Sequence, residues 1–231
     1  RSRISDNKTH YLLLDEVQLM DRFVEVLISL MHNEVFDIFV TGSNSRFLST
    51  DIVTEFRGRS QEIRMQPLTF SEYISTFDGD KDEAWSEYIE FGGLPQILSF
   101  KTKQQKITYL SNLVETVYIK DIVERNKLKS GEGITELLRT LASSMGSPCN
   151  PRRISKTFES VEKKHVSSET VARHIRYFNE SFLITEALRY DVKGRKYIGT
   201  ETKYYFTDIG LRNSILGFRQ IEETHIMENV L

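Results

Sequence analysis

The chain has 231 residues, 39% of them hydrophobic and 28% charged, with a formal net charge of −2. That is the composition of a soluble globular protein of one large or two small domains, and no apolar run reaches the roughly 18 residues of a membrane span. The single cysteine, Cys149, excludes an internal disulfide framework and a cysteine-rich zinc site; with no signal-like N-terminus, the expectation is a cytoplasmic protein with no membrane partner.

Charge is unevenly spread. Residues 1–119 hold 12 Lys and Arg against 18 Asp and Glu, whereas residues 120–196 hold 16 against 10. An acidic front and a basic middle point to two domains with different partners. The basic surplus is read either as a solvated face or as a nucleic-acid footprint.

In chain order, Tyr11–Leu14 is a short apolar run closed by Asp15 and Glu16, which predicts a strand buried on both faces, as in a parallel sheet. Asp21–Met31 carries apolar residues at helical spacing. Phe36–Thr41 predicts a second strand ending at Gly42, residues 48–56 a short helix, and Glu62–Met65 a third strand. This alternation is that of a doubly wound α/β sheet. From Thr69 the pattern turns helical, over 70–77, 83–91 and 103–123, with Gly92-Gly93-Leu94-Pro95 as a break and 130–133 as a linker. Three helical segments follow, near 134–145, 150–160 and 167–181, the last capped by Ser167-Ser168-Glu169-Thr170. Two strands come next, over 183–190 and 203–207. Three helices and a hairpin are the order of a winged helix-turn-helix.

A strand that ends in Asp-Glu sets two carboxylates at the carboxyl edge of a parallel sheet, where open α/β sheets bind ligands. In nucleotide hydrolysis one acid holds magnesium through water and the other orients and deprotonates the attacking water. Asp15 suits the first role and Glu16 the second; the plainer alternative is two acids capping the next helix. Thr41-Gly42-Ser43-Asn44-Ser45 ends the second strand with small polar groups that can touch a γ-phosphate, or simply make a turn. Arg57 and Arg59 flank Gly58 and can present guanidinium groups to phosphate, or pair with Glu55 and Glu62. The five histidines show no metal-ligand spacing, and Cys149 beside Pro148 reads as a packed thiol.

Taken in order, these segments resemble the AAA-related P-loop ATPases of bacteria and archaea that carry a C-terminal winged helix and often a nuclease-like tail. The matching segments are Leu14-Asp15-Glu16-Val17-Gln18, Thr41-Gly42-Ser43-Asn44-Ser45, Gly58-Arg59, Pro67-Leu68-Thr69-Phe70, Gly92-Gly93-Leu94-Pro95 and Tyr205–Arg212. The resemblance implies an α/β fold plus a winged helix. Residues 1–76 would be a partial ATPase core running from Walker B to the arginine finger. Residues 77–130 would be a helical linker region, and 131–231 the winged-helix domain with the start of a further segment. It implies ATP and Mg²⁺ as cofactors, Asp15 and Glu16 as Walker B acids and Ser43 or Asn44 at sensor 1. Arg57 or Arg59 would be the arginine finger, which implies a homo-oligomer. Glu228-Asn229 resembles the lead into a nuclease-like fold; a surface helix is the alternative.

One departure is large. No Gly-x-x-x-x-Gly-Lys-Ser/Thr loop occurs in the 231 residues, so the backbone cradle for phosphate and the magnesium-binding hydroxyl are absent. Polar residues lead straight into the first strand, and the last residues read as an interrupted helix. The chain therefore reads as a fragment that binds and hydrolyses ATP poorly by itself. On the third helix of the basic region, Thr170, Arg173, His174 and Tyr177 share one face, with Arg176 beside them and Val171, Ile175 and Phe178 on the buried side. Lys193, Arg195 and Lys196 fall at the wing tip. These residues would contact DNA, through the major groove and its phosphates, or the module would serve as a lid or protein contact in a nucleotide switch.

Overall fold

The computed structural model describes residues 8–42, 56, 59–128, 132–162, 166–188, 202–219 and 223–230. The chain forms two units, Arg1–Arg64 and Met65–Leu231.

In the first unit, strand β1 (His10–Leu14) and strand β2 (Phe36–Val40) pair in parallel, from His10 opposite Phe36 to Leu14 opposite Val40. Parallel neighbours need a crossover, and helix α1 (Phe23–Met31) supplies it. Phe23 and Leu27 of α1 are buried with Val17 and Phe56, and Leu14, Ile38 and Val40 pack against them from the strands. The opposite sheet face is open: Tyr11 is 66% exposed, Leu13 78% and Phe39 47%. The expectation of a strand buried on both faces is thus corrected. An apolar run records what a strand can cover, and among the described residues only one helical layer covers this one.

The expected third strand is also corrected. Residues 59–69 have no regular structure, and Ile63 and Met65 lie exposed. Alternating apolar residues become a strand only when a neighbour supplies the ladder, and among the described residues none pairs with them. Of the expected helix over 48–56, only Phe56 is described; it is helical and buried.

The second unit is mostly helical. Thr69 opens α2 (Phe70–Thr76) with a capping box to Glu72, and Asp80 caps α3 (Lys81–Phe91). Helix α4 (Lys103–Asn112) runs through a π-helical stretch (Leu113–Ile119) into α5 (Lys120–Arg125). Then come α6 (Glu132–Ser143), α7 (Pro151–Thr157) and α8 (Ser168–Glu180), with Asn150 and Ser167 capping the last two. Strands β3 (Ile184–Ala187) and β4 (Lys203–Phe206) pair antiparallel, and Cys149 bridges to Thr202. Helices α9 (Ile209–Ile215) and α10 (Glu223–Val230) follow. Leu137, Leu138, Leu141, Val171, Ile175, Phe178, Leu183 and Leu211 share one core. The fold is mixed α/β, with a small parallel sheet and many helices.

A buried carboxylate holds this unit together. Asp208 accepts from the Gly93 N–H at 2.7 Å and from the Leu211 N–H at 3.1 Å, capping α9 and gripping the turn after α3. Gly92 makes that turn at φ 79, where a Cβ would sit 2.2 Å from the Asp208 carboxylate. The same turn returns to Leu68, whose N–H donates to the Gly93 carbonyl at 2.8 Å. From the next turn of α9, Asn213 donates to the carbonyls of Ile89 and Glu90 at 2.8 and 2.9 Å, and Arg212 donates to that of Ala142 at 3.1 Å. Orphan carbonyls at a helix end are thereby satisfied by side chains from a distant helix.

Burial raises the Asp208 pKa to about 6, outweighing the backbone N–H groups of Gly93, Leu211, Gly210 and Leu94, which lower it. A folded pKa above the unfolded one stabilises the fold fully below the unfolded value and loses that contribution as pH rises through the folded value. The contribution of Asp208 should therefore fall between about pH 4 and pH 6, by roughly 2–3 kcal/mol at 1.36 kcal/mol per unit. Urea midpoints of wild type and Asp208→Asn over that range check it. The difference between the two proteins should change with pH, and a constant difference would contradict the assignment.

Candidate functional site

The carboxyl edge of the β1–β2 pair gathers its polar groups around one residue. Thr41, one step past β2, donates its N–H to the Leu14 carbonyl at 2.9 Å and accepts the Val17 N–H on its own carbonyl at 3.1 Å. Its hydroxyl donates to the Asp15 carboxylate and accepts the Glu16 N–H at 3.1 Å. Glu16 occupies the left-handed region at φ 50, ψ 50. A non-glycine residue there costs free energy, so its neighbours must hold it, and such residues cluster at functional sites. Two carboxylates thus stand at the sheet edge, Asp15 exposed and Glu16 partly covered.

Of the other expected groups, Arg59 is exposed, its N–H donating to the Phe56 carbonyl at 2.9 Å. Ser43, Asn44 and Arg57 lie outside the described residues. Among the described residues no group of three His, Cys, Asp or Glu gathers to hold a metal. Asp15 and Glu16 offer carboxylate oxygens at the sheet edge, the donor type that Mg²⁺ takes beside water and substrate phosphates. In the sequence Thr41 is one of the small polar groups that end the second strand, with no role assigned to it alone. The parallel register was the available signal: continuing Leu14 opposite Val40 by one step sets Asp15 opposite Thr41.

In the second unit, Val171, Ile175 and Phe178 form the buried side of α8, while Arg173 and Arg176 are exposed. Thr170 contacts Ser167 at 3.0 Å and accepts from Arg173 at 3.4 Å. Thr170 and His174 line a cavity of about 400 Å³ with Leu137, Phe158, Val166 and Val171. Burial, and then the Arg173 charge, lower the His174 pKa. Tyr177 is half-buried, its ring 6.1 Å from that of His174. Arg176 pairs with Glu180 at 3.8 Å. Lys193, Arg195 and Lys196 lie outside the described residues.

Residues 82–222 match the family model described as Domain of unknown function (DUF8612). The chain belongs to that family. The DUF8612 match holds the Gly92–Asp208 clamp, all of α8 and the hairpin, and leaves out α2 and α10 of the same unit. Residues 1–74, which take in Asp15, Glu16 and Arg59, match the AAA domain model, a likeness that supports an AAA-type, ATPase-like relation for the N-terminal part. An uncharacterized protein of Haemophilus influenzae is 30% identical over 232 residues, covering 98% of this chain and 58% of its own length. The uncharacterized protein MJ1544 of Methanocaldococcus jannaschii is 25% identical over 240 residues, covering 99% of this chain and 53% of its own. The chain thus spans little more than half of each relative. No helix among the described residues is long and apolar enough to cross a membrane.

Proposed function

We propose that this chain supplies the catalytic-acid half of a Mg²⁺-dependent AAA-type ATPase. The observation that carries the reading is the pairing of Asp15 and Glu16 at the carboxyl edge of a parallel sheet, bridged by Thr41. The AAA match over residues 1–74 supports it. In this reading Asp15 would hold Mg²⁺, and Glu16 would orient the attacking water and take its proton. Ser43 or Asn44 senses the γ-phosphate. Arg57 or Arg59 acts on a neighbouring subunit's nucleotide in a homo-oligomer. Bound Mg²⁺ would neutralise charge on the phosphates. The sequence holds no phosphate loop, so the activity belongs to a longer form that carries one. Steady-state hydrolysis by residues 1–231 and by a form extended upstream through a Gly-Lys-Ser/Thr loop tests this. Turnover should appear only in the extended form and require Mg²⁺; a loop-bearing form without turnover would defeat the proposal.

A second reading concerns residues 131–231 as a winged helix that contacts DNA. The order α6, α7, α8, β3, β4 supports it, as does the Cys149–Thr202 bridge that brings the segment before α7 to the hairpin. The exposed Arg173 and Arg176 are the observation favouring DNA, with Thr170, His174, Tyr177, Lys193, Arg195 and Lys196 as further candidates. Duplex binding should weaken steeply with salt, and Arg173→Ala with Arg176→Ala should lower the log–log slope by about 2. Absent or salt-independent binding would leave the lid or protein-contact role. A nuclease-like continuation gains nothing from Glu228 and Asn229. Glu228 pairs with Lys203 and Tyr205, and Asn229 bonds both backbone groups of Phe206 along β4.

A further inference from the structure

We infer that Thr41 is the positioning residue of the acid pair, setting Asp15 and Glu16 in their working geometry without itself reacting. The inference rests on reading those acids as catalytic. Four hydrogen bonds converge on this one residue. Its N–H and carbonyl lock the exits of β1 and β2, to Leu14 and Val17. Its hydroxyl spends its proton on Asp15 and a lone pair on the Glu16 N–H.

Each bond has a consequence. A carboxylate has two oxygens; the hydroxyl engages Oδ1 of Asp15, which restricts the rotation of the group and leaves Oδ2 for another donor. The bond to the Glu16 N–H bears on the residue held at φ 50, ψ 50. Thr41 is branched at Cβ and stiff about χ1, so the hydroxyl is held at the end of the strand with little rotamer freedom. Thr41 and the acids lie on adjacent strands in fixed register, so a change at the end of β2 reaches both acids through one oxygen.

Thr41→Val removes the hydroxyl and keeps the branched shape, so the ladder should survive; Thr41→Ser keeps the hydroxyl. In residues 1–231, amide hydrogen exchange at Glu16 should speed up about tenfold in Thr41→Val and stay near wild type in Thr41→Ser, while β1 amides are unchanged in both. In the loop-bearing extended form, Thr41→Val should lower kcat for ATP about tenfold or more with KM within about twofold, and Thr41→Ser should restore it. If Thr41→Val leaves both exchange and kcat at wild-type values while Glu16→Gln abolishes turnover, the positioning role is wrong and the ATPase reading stands. If the wild-type extended form shows no turnover, the ATPase reading has failed and the positioning role falls with it.

Discussion

Glu16→Gln in the loop-bearing extended form should lower kcat by about 10²- to 10⁴-fold, the range expected for loss of a general base, with ATP affinity within about twofold. Gln keeps the shape and hydrogen-bonding reach of Glu but cannot take a proton. The backbone of residue 16 stays tied to Thr41 through its N–H, so the substitution changes chemistry and not geometry. Asp15→Asn should behave differently, weakening the Mg²⁺ dependence of nucleotide binding, because its carboxylate is the proposed metal partner. The two variants thus separate base from metal partner by kcat against affinity. A Glu16→Gln enzyme that turns over at the wild-type rate would remove Glu16 from the mechanism.

Gly210→Ala should destabilise the larger unit by about 3 kcal/mol or more, at the severe end for one methyl group. A Cβ at Gly210 would stand 2.0 Å from the Phe91 carbonyl oxygen and 3.0 Å from the Asp208 carboxylate. The first of these atoms is backbone and cannot step aside. Forcing α9 away would strip Asp208 of its bond to the Gly93 N–H and Asn213 of its hold on the end of α3. Gly133→Ala is the matched control, since among the described residues nothing lies within 4 Å of its Cβ position in α6. That change should stabilise by about 0.5–1 kcal/mol through helix propensity alone. Urea unfolding of both variants reads the difference; equal midpoints would contradict the close approach of α9 to the turn after α3.

The helices of the second unit were legible because their signals are local. The cap at Ser167 and the 3.6-residue spacing of Val171, Ile175 and Phe178 lie within a few residues of the helix they define. The paired strands of the first unit were legible for the same reason. What failed was non-local. Glu62–Met65 has the alternation of a strand, but a strand requires a partner, and no window of sequence shows whether one is present. Burial of Tyr11 and Leu13 failed likewise, because it depends on a second layer.

The motifs divided in an instructive way. Leu68, Gly92, Gly93 and Asp208 come from segments quoted for a nucleotide-hydrolysing family, yet in space they form a clamp that ties helix ends together. Their pattern carries packing information: close backbone approach at the glycines and a buried cap at Asp208. Asp15 and Glu16 stand instead on a solvent-facing sheet edge, where packing does not call for two acids. Thr41 stood in its strand-end run without a role of its own, because its link to the acids depends on the strand register that sets it beside Asp15.

The proposed role of Asp15 and Glu16 is to serve a nucleotide. Its most direct test is a calorimetric titration of ATP, with Mg²⁺, into the upstream-extended form carrying a Gly-Lys-Ser/Thr loop. Saturable binding near one ATP per chain, weakened when Mg²⁺ is withdrawn or Asp15 is changed to Asn, is the expected result. An extended form with an intact loop that takes up no ATP would contradict it.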